Sequence, residues 1–228
     1  MKKTALLLAS IASSLILAGC CTPKTDTVTQ VSAIDALLAG AYDGQMACTE
    51  LLRHGDFGIG TFHSLDGEMI VLDGRMYEVC SDGKVLSPPR QTSTPFASVL
   101  RFKADRSERI DRSTDFKEFQ KVCDGLASGP NAVCAFKAAG HFAFVKTRSV
   151  PSQKKPYPPL TEVTKNQPEF AITNVTGTLV GFRLPPLMKG VNVPGYHLHF
   201  LSGNKNFGGH VLDFIFTSGV VEIDECHR

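Results

Sequence analysis

The chain has 228 residues, 43% of them hydrophobic, with 24 Lys plus Arg against 22 Asp plus Glu and a formal net charge of +2. A balance this close to neutral gives no electrostatic case for a nucleic-acid partner, and without Lys2 and Lys3 the two counts are equal at 22 each. No low-complexity tract or internal repeat interrupts it, so the composition is that of a globular protein with a sizeable core.

Residues 1–19 read as an address. Met1-Lys2-Lys3 is a basic start, Ala5 to Ala18 is an apolar run too short to span a membrane, and Leu17-Ala18-Gly19-Cys20 matches the bacterial lipoprotein cleavage box. Cys20 is then the lipidation site and the only link to a membrane, and the protein is exported and lipid-anchored, on the periplasmic or cell-surface side; a plain cleaved secretory signal is the alternative. Residues 20–30, polar and carrying Pro23, read as a tether. Export permits disulfides among the remaining cysteines, and Cys123 with Cys134 is the first pair to test, buried free thiols being the other possibility.

Ser32 is placed to cap a short helix from Ala33 to Leu38, and Met46 to Arg53 predicts a second helical stretch. Strands follow: Phe57 to Leu65, Glu68 to Leu72, Arg75 to Val79 and Lys84 to Leu86. Asp66-Gly67, Asp73-Gly74 and Asp82-Gly83 separate them, and Asp-Gly supplies the positive φ of a tight hairpin turn. Phe96 to Phe102 continues this meander. Asp115 to Leu126, with Ser113 or Thr114 as cap and Gly129-Pro130 beyond it, is the strongest helix. Val133 to Thr147 returns to strand, and Ser149 to Pro159, with four prolines, is a stiff extended loop. The fold class is α+β: two packed mixed β-sheet halves with few helices, an N-terminal half over residues 31–147 and a C-terminal half over residues 148–228 that carries the metal site. Phe170 to Arg183, the hairpin described next, and Val220 to Ile223 build that second sheet.

Gly195-Tyr196-His197-Leu198-His199-Phe200 and Gly208-Gly209-His210-Val211-Leu212-Asp213-Phe214 flank the turn residues Ser202 to Asn206. With Asn204-Lys205 at the apex, residues whose numbers sum to 409 face each other. His199 then lies opposite His210, Cβ atoms about 5 Å apart, and His197 shares their face by the two-residue period of a strand. Three nitrogens with a fourth position open suit Zn²⁺. A bulge at Gly208-Gly209 breaks this parity, and the bland alternative is three sheet histidines with ordinary partners. Arg148, at the head of the stiff loop, can hold a carboxylate in a fixed bidentate grip, or is a plain surface arginine. Glu68, after a tight turn, is a proton donor if buried near the metal, and a solvated carboxylate otherwise. The glycines of Gly55 to Gly60 lack the Gly-Lys-Ser/Thr sequel of a phosphate loop.

Together the runs Tyr42-Asp43-Gly44, His54 to Phe62, Leu65 to Met69, Thr94 to Ala97, Arg148 to Pro151 with Gln153, Pro156 and Tyr157, Gly177 to Arg183, Gly195 to Phe200 and Gly208 to His210 closely resemble α-acetolactate decarboxylases, in unbroken order from about Val31 to Asp224. The resemblance implies conversion of 2-acetolactate to acetoin and CO₂ in acetoin and butanediol formation, by a zinc enzyme of two packed halves, often a homodimer. By motif position it implies that His197, His199 and His210 are zinc ligands, Arg148 the substrate-binding arginine, Glu68 an active-site glutamate and Thr61 a residue lining the pocket. It also implies a C-terminal tail that brings a second glutamate to the metal. The sequence in hand ends Glu225-Cys226-His227-Arg228 without a counterpart, Glu222 and Glu225 being the nearest carboxylates along the chain. Two other classes are compatible with a His-x-His plus His pattern: a zinc hydratase of carbonic anhydrase type, against which Arg148 and the long match argue, and a lipid-anchored metal-binding module without activity.

Overall fold

A computed structural model describes residues 27–226, so the proposed signal, Cys20, most of the tether and His227 lie outside the described residues. Two antiparallel sheets make up most of it. The first contains β1 (Thr29–Val31), β3 (Phe57–Thr61), β4 (Glu68–Leu72), β5 (Arg75–Val79), β6 (Val85–Leu86) and β8 (Ala97–Leu100), in the order β1-β8-β3-β4-β5-β6; β2 (Met46–Ala47) and β7 (Ser93–Thr94) form a separate pair. The second contains β9 (Arg106–Ile110), β10 (Thr114–Asp115), β11 (Val133–Arg148), β12 (Glu169–Leu184), β13 (Gly195–Ser202) and β14 (Gly208–Cys226). Pairings run β11–β12, β12–β13, β13–β14 and β14–β11, so four strands close on themselves. The expected two-sheet architecture with few helices is present, with antiparallel pairing throughout its ladders.

Several boundaries differ from expectation. The change of sheet lies between Leu100 and Arg106, so strands β9, β10 and β11 already pair within the second sheet, ahead of the proline-rich loop where the sequence suggests a division. Thr29 and Gln30, expected in the tether, are strand residues opposite Val99 and Ser98. Strand β3 stops at Thr61 because Ser64 and Leu65 have φ of 64° and 57°, a left-handed pair held by Ser64 N–H on the Tyr42 carbonyl and Gln153 N–H on the Ser64 carbonyl. Helix α1 (Ile34–Leu38) has no side-chain cap; Ser32 itself sits at φ 60°. In α3 (Phe116–Leu126) the cap is Asp115, whose carboxylate accepts from Glu118 N–H at 2.8 Å, so the cap is one residue beyond Thr114. The predicted closing strand Val220 to Ile223 is the far part of the 19-residue β14.

Packing explains the pattern. The run Glu68-Met69-Ile70-Val71-Leu72 is apolar almost throughout because β4 is covered on both faces. Ile70 and Leu72 join Phe57, Ile59 and Leu100 against Val180, Phe182 and Leu201 of the second sheet, while Met69 and Val71 face Leu51 of α2 (Cys48–His54). Beyond the second sheet, Phe119 and Cys123 of α3 pack with Phe136, Phe142, Phe200, Phe214 and Phe216. Each fully buried phenylalanine contributes roughly 1.5–3 kcal/mol by leaving water. Cys123 and Cys134, the first pair to test, form no disulfide and are buried thiols, and no helix among the described residues is long and apolar enough to cross a membrane.

Candidate active site

The hairpin has the predicted register: His199 faces His210, Phe200 faces Gly209 and Leu201 faces Gly208. The irregularity near the hairpin lies further on, at Leu212, where Lys146 pairs with Asp213 but Thr147 with Val211. Parity is therefore intact at the histidines. Leu198 and Phe200 point into the core under α3, whereas Leu201 points at the first sheet, and the two-residue period turns His197 and His199 to that same side. The three rings lie 4.9–5.4 Å apart between centroids, and one nitrogen from each falls within 4.8 Å of the others. On the neighbouring strand β11, Arg148 is the cross-strand partner of His210. Arg148, His210 and His199 thus form one row across three strands.

The first sheet supplies the opposite wall. Thr61 and Glu68 are paired across β3 and β4, and the Thr61 hydroxyl donates to the Gly67 carbonyl at 2.7 Å, fixing the turn that delivers Glu68. His199 Nδ1–H donates to the Met69 carbonyl at 2.9 Å, which leaves Nε2 as the free lone pair. That Nε2 is buried, has no hydrogen-bond partner and lies 3.4 Å from Glu68 Oε2. Leaving a buried acceptor unpaired costs roughly 1–3 kcal/mol, so the atom calls for a ligand.

Electrostatics point the same way. Burial, with Arg148 nearby, lowers His197 to about 4. Burial also holds His199 and His210 well below the usual range, reinforced by the neighbouring histidines and Arg148. All three imidazoles are therefore neutral at pH 7, the form that ligates a metal. Burial pushes Glu68 up to about 7, against the pull of Arg148. The donor set, three neutral nitrogens around an orphaned lone pair, fits a cation such as Zn²⁺ with a coordination position open.

These groups open onto a cavity of about 450 Å³. Its far wall is apolar, built from Ile34, Leu37, Leu65, Phe96, Val150, Leu160 and Val193. His197, His199, His210, Arg148, Glu68 and Thr61 all line it, so the structure gathers every predicted site residue among those described.

The family model of alpha-acetolactate decarboxylase matches residues 28–228. An alpha-acetolactate decarboxylase of Methanosarcina mazei is 47% identical over 200 residues, covering 88% of this chain and 69% of the relative. One of Methylococcus capsulatus is 48% identical over 197 residues, covering 86% and 76%. The crystal structure of alpha-acetolactate decarboxylase from Bacillus subtilis strain 168 superposes with a TM-score of 0.85 at 40% identity, covering 87% of this chain and 85% of that one. The chain belongs to the alpha-acetolactate decarboxylase family.

Within this member of a carboxy-lyase family, Glu222 and Glu225 do not stand in for a tail glutamate. Glu222 pairs with Lys137 at 3.2 Å, and Glu225, 3% exposed, is held by Arg106 and Ser128. Neither lines the cavity. Sequence reasoning missed Gln167, which lines the cavity with its Oε1 buried and unpartnered. It follows a 3₁₀ turn at Thr164–Asn166 and belongs to no motif, so nothing short of the fold marks it.

Proposed function

We propose that the protein decarboxylates 2-acetolactate to acetoin and CO₂, with Zn²⁺ held by His197, His199 and His210. The single observation that carries this reading is the buried, unpartnered His199 Nε2, flanked by two neutral imidazoles and facing Arg148 and Glu68 in one cavity, in a member of this family.

Loss of CO₂ from a β-keto acid leaves an enediolate, whose developing negative charge is the main barrier. The cation supplies Lewis-acid stabilisation of that charge. Arg148 holds the substrate carboxylate bidentately and sets the breaking bond perpendicular to the ketone plane. Glu68, pushed up to about 7 by burial, carries a proton for a large fraction of molecules at neutral pH, and it delivers that proton to one face of the enediolate carbon. Thr61 keeps Glu68 in place through its bond to Gly67 and lines the pocket beside it. The apolar wall lowers the local dielectric, which strengthens these charge interactions.

The test is acetoin formation from racemic 2-acetolactate by the purified chain, with and without a chelator and after zinc is restored. Chelator-sensitive acetoin formation that zinc restores supports the reading. Full zinc occupancy without acetoin overturns it in favour of a metal-binding module, and CO₂ hydration in its place identifies a hydratase.

We also propose, from the basic start, the apolar run and Leu17-Ala18-Gly19-Cys20, that the chain is exported and anchored through a lipidated Cys20. Mass spectrometry of the membrane-extracted protein reads this directly, and an unmodified Cys20 removes it. Association as a homodimer is proposed from the family resemblance, and light scattering tests it.

A further inference from the structure

Among the polar cavity residues that the reaction above leaves without a task, Gln167 is the one with a buried, unpartnered side-chain atom. It lies two residues before Glu169, the cross-strand partner of Arg148. The Ser149 N–H donates to the Pro168 carbonyl at 3.2 Å, so this stretch of backbone runs beside the Arg148 segment and sets Gln167 on the cavity wall. Among the lining side chains described, two atoms are buried without a partner: His199 Nε2 and Gln167 Oε1. The first suits a cation. The second is an amide carbonyl oxygen, which accepts hydrogen bonds and donates none, so it asks for a donor on the ligand.

At neutral pH 2-acetolactate has one such donor. Its carboxylate is ionised, its ketone accepts, and only the 2-hydroxyl group carries a proton to give. We propose that Gln167 is a specificity-determining residue that accepts a hydrogen bond from the 2-hydroxyl of the substrate. This rests on the decarboxylase reading for the identity of the ligand. A neutral acceptor suits the position, because a carboxylate here would repel the carboxylate that Arg148 holds. The consequence is discrimination: a β-keto acid lacking the hydroxyl leaves the buried Gln167 Oε1 unpaired and binds less well for that reason, independently of any cost at the metal.

The experiment compares two ligands that cannot lose CO₂ because they carry no ketone: 2-hydroxy-2-methylpropanoate, and 2,2-dimethylpropanoate, in which a methyl replaces the 2-hydroxyl and no donor remains. Dissociation constants are measured by titration calorimetry on the zinc-loaded chain and its variants, with zinc content checked by elemental analysis. The wild type is expected to prefer the hydroxylated ligand, and Gln167→Leu to reduce that preference about tenfold, the loss of one hydrogen bond, at unchanged zinc content. Gln167→Met repeats the test with an unbranched side chain if leucine disturbs the turn. Gln167→Glu, which keeps an acceptor, is expected to weaken both carboxylate ligands and retain the preference. An unchanged ratio in the leucine and methionine variants overturns the assignment, as does a wild type that binds both ligands equally. Acetoin formation by the wild type is read separately: its absence removes the decarboxylase reading, whereas acetoin formation with a constant ratio removes only the role of Gln167.

Discussion

His199 and Met69 join the two sheets at the site: the imidazole Nδ1–H donates to the main-chain carbonyl at 2.9 Å, so the bond that fixes the ring's tautomer also ties β13 to β4. A ligand held this way has its other nitrogen aimed before any cation arrives. His199→Ala should therefore lose zinc and acetoin formation together. Elemental analysis and an acetoin assay check this, and retained stoichiometric zinc would contradict it.

Arg148 lies in the same row as His210 and His199 but is a cation, not a ligand. Arg148→Ala should keep full zinc content while turnover falls on the order of 10²-fold or more, since the carboxylate is no longer oriented. Arg148→Lys should recover only part of this, because a point charge cannot reproduce the bidentate grip. A variant with zinc and full rate would remove the role.

Glu68→Gln preserves shape and hydrogen bonding but carries no transferable proton. The expected outcome is normal zinc content with kcat lower by roughly 10²–10⁴-fold. The acetoin that does form should also lose enantiomeric purity, because solvent then protonates the enediolate from either side; chiral chromatography reads this.

Gly209 has φ of +128°, and a Cβ there would meet the Arg148 carbonyl oxygen at 2.6 Å. Gly209→Ala should cost on the order of 1–3 kcal/mol in unfolding free energy and weaken zinc binding by shifting His210. Chemical denaturation with a parallel zinc titration checks both parts. Unchanged stability would show that β14 can move aside.

Glu225 gives an acid-side prediction away from the site. Burial pushes its carboxyl up, but bonds from Ser128 and Arg106 outweigh this and lower it from the ordinary value of 4.5. A carboxyl lowered in the folded state binds protons less readily than in the unfolded chain. Its stabilisation is present above about 4.5 and is lost as pH falls through the lower folded value. Glu225→Gln should thus be less stable than the wild type at pH 7, with a difference that narrows below pH 4.5 in denaturation curves.

The hairpin was legible because its turn residues Ser202 to Asn206 are bounded by two apolar runs, and a two-residue period leaves few choices once the apex is set. The positive φ at Gly67, Gly74 and Gly83 was legible for a local reason too, but only Asp73-Gly74 closes a tight hairpin, Leu72 facing Arg75, whereas Asp66-Gly67 ends a longer connection from Thr61 to Glu68 and Asp82-Gly83 lies in a wider loop between Val79 and Val85. Long-range pairing left no such mark. That Arg148 faces His210 depends on a ladder between strands about 60 positions apart, and on the bulge at Leu212 that offsets it by one residue. The end of β3 at Thr61 was hidden because tertiary bonds from Tyr42 and Gln153 hold Ser64 in a conformation its own residue type does not favour. Gln167 was hidden for the same reason: a residue in an unpatterned loop acquires its meaning only from what the fold sets beside it.

A ribbon whose four strands return on themselves has no free rim along which one of them can slide. To displace His210 by a single residue, β14 must break step with β11 and β13 at once, and the shift must be absorbed all the way round through β12. The imidazole cluster is consequently anchored by circuit closure as much as by local contacts, so lengthening the Ser202–Phe207 turn is more readily accommodated as a looser loop than as a moved ligand.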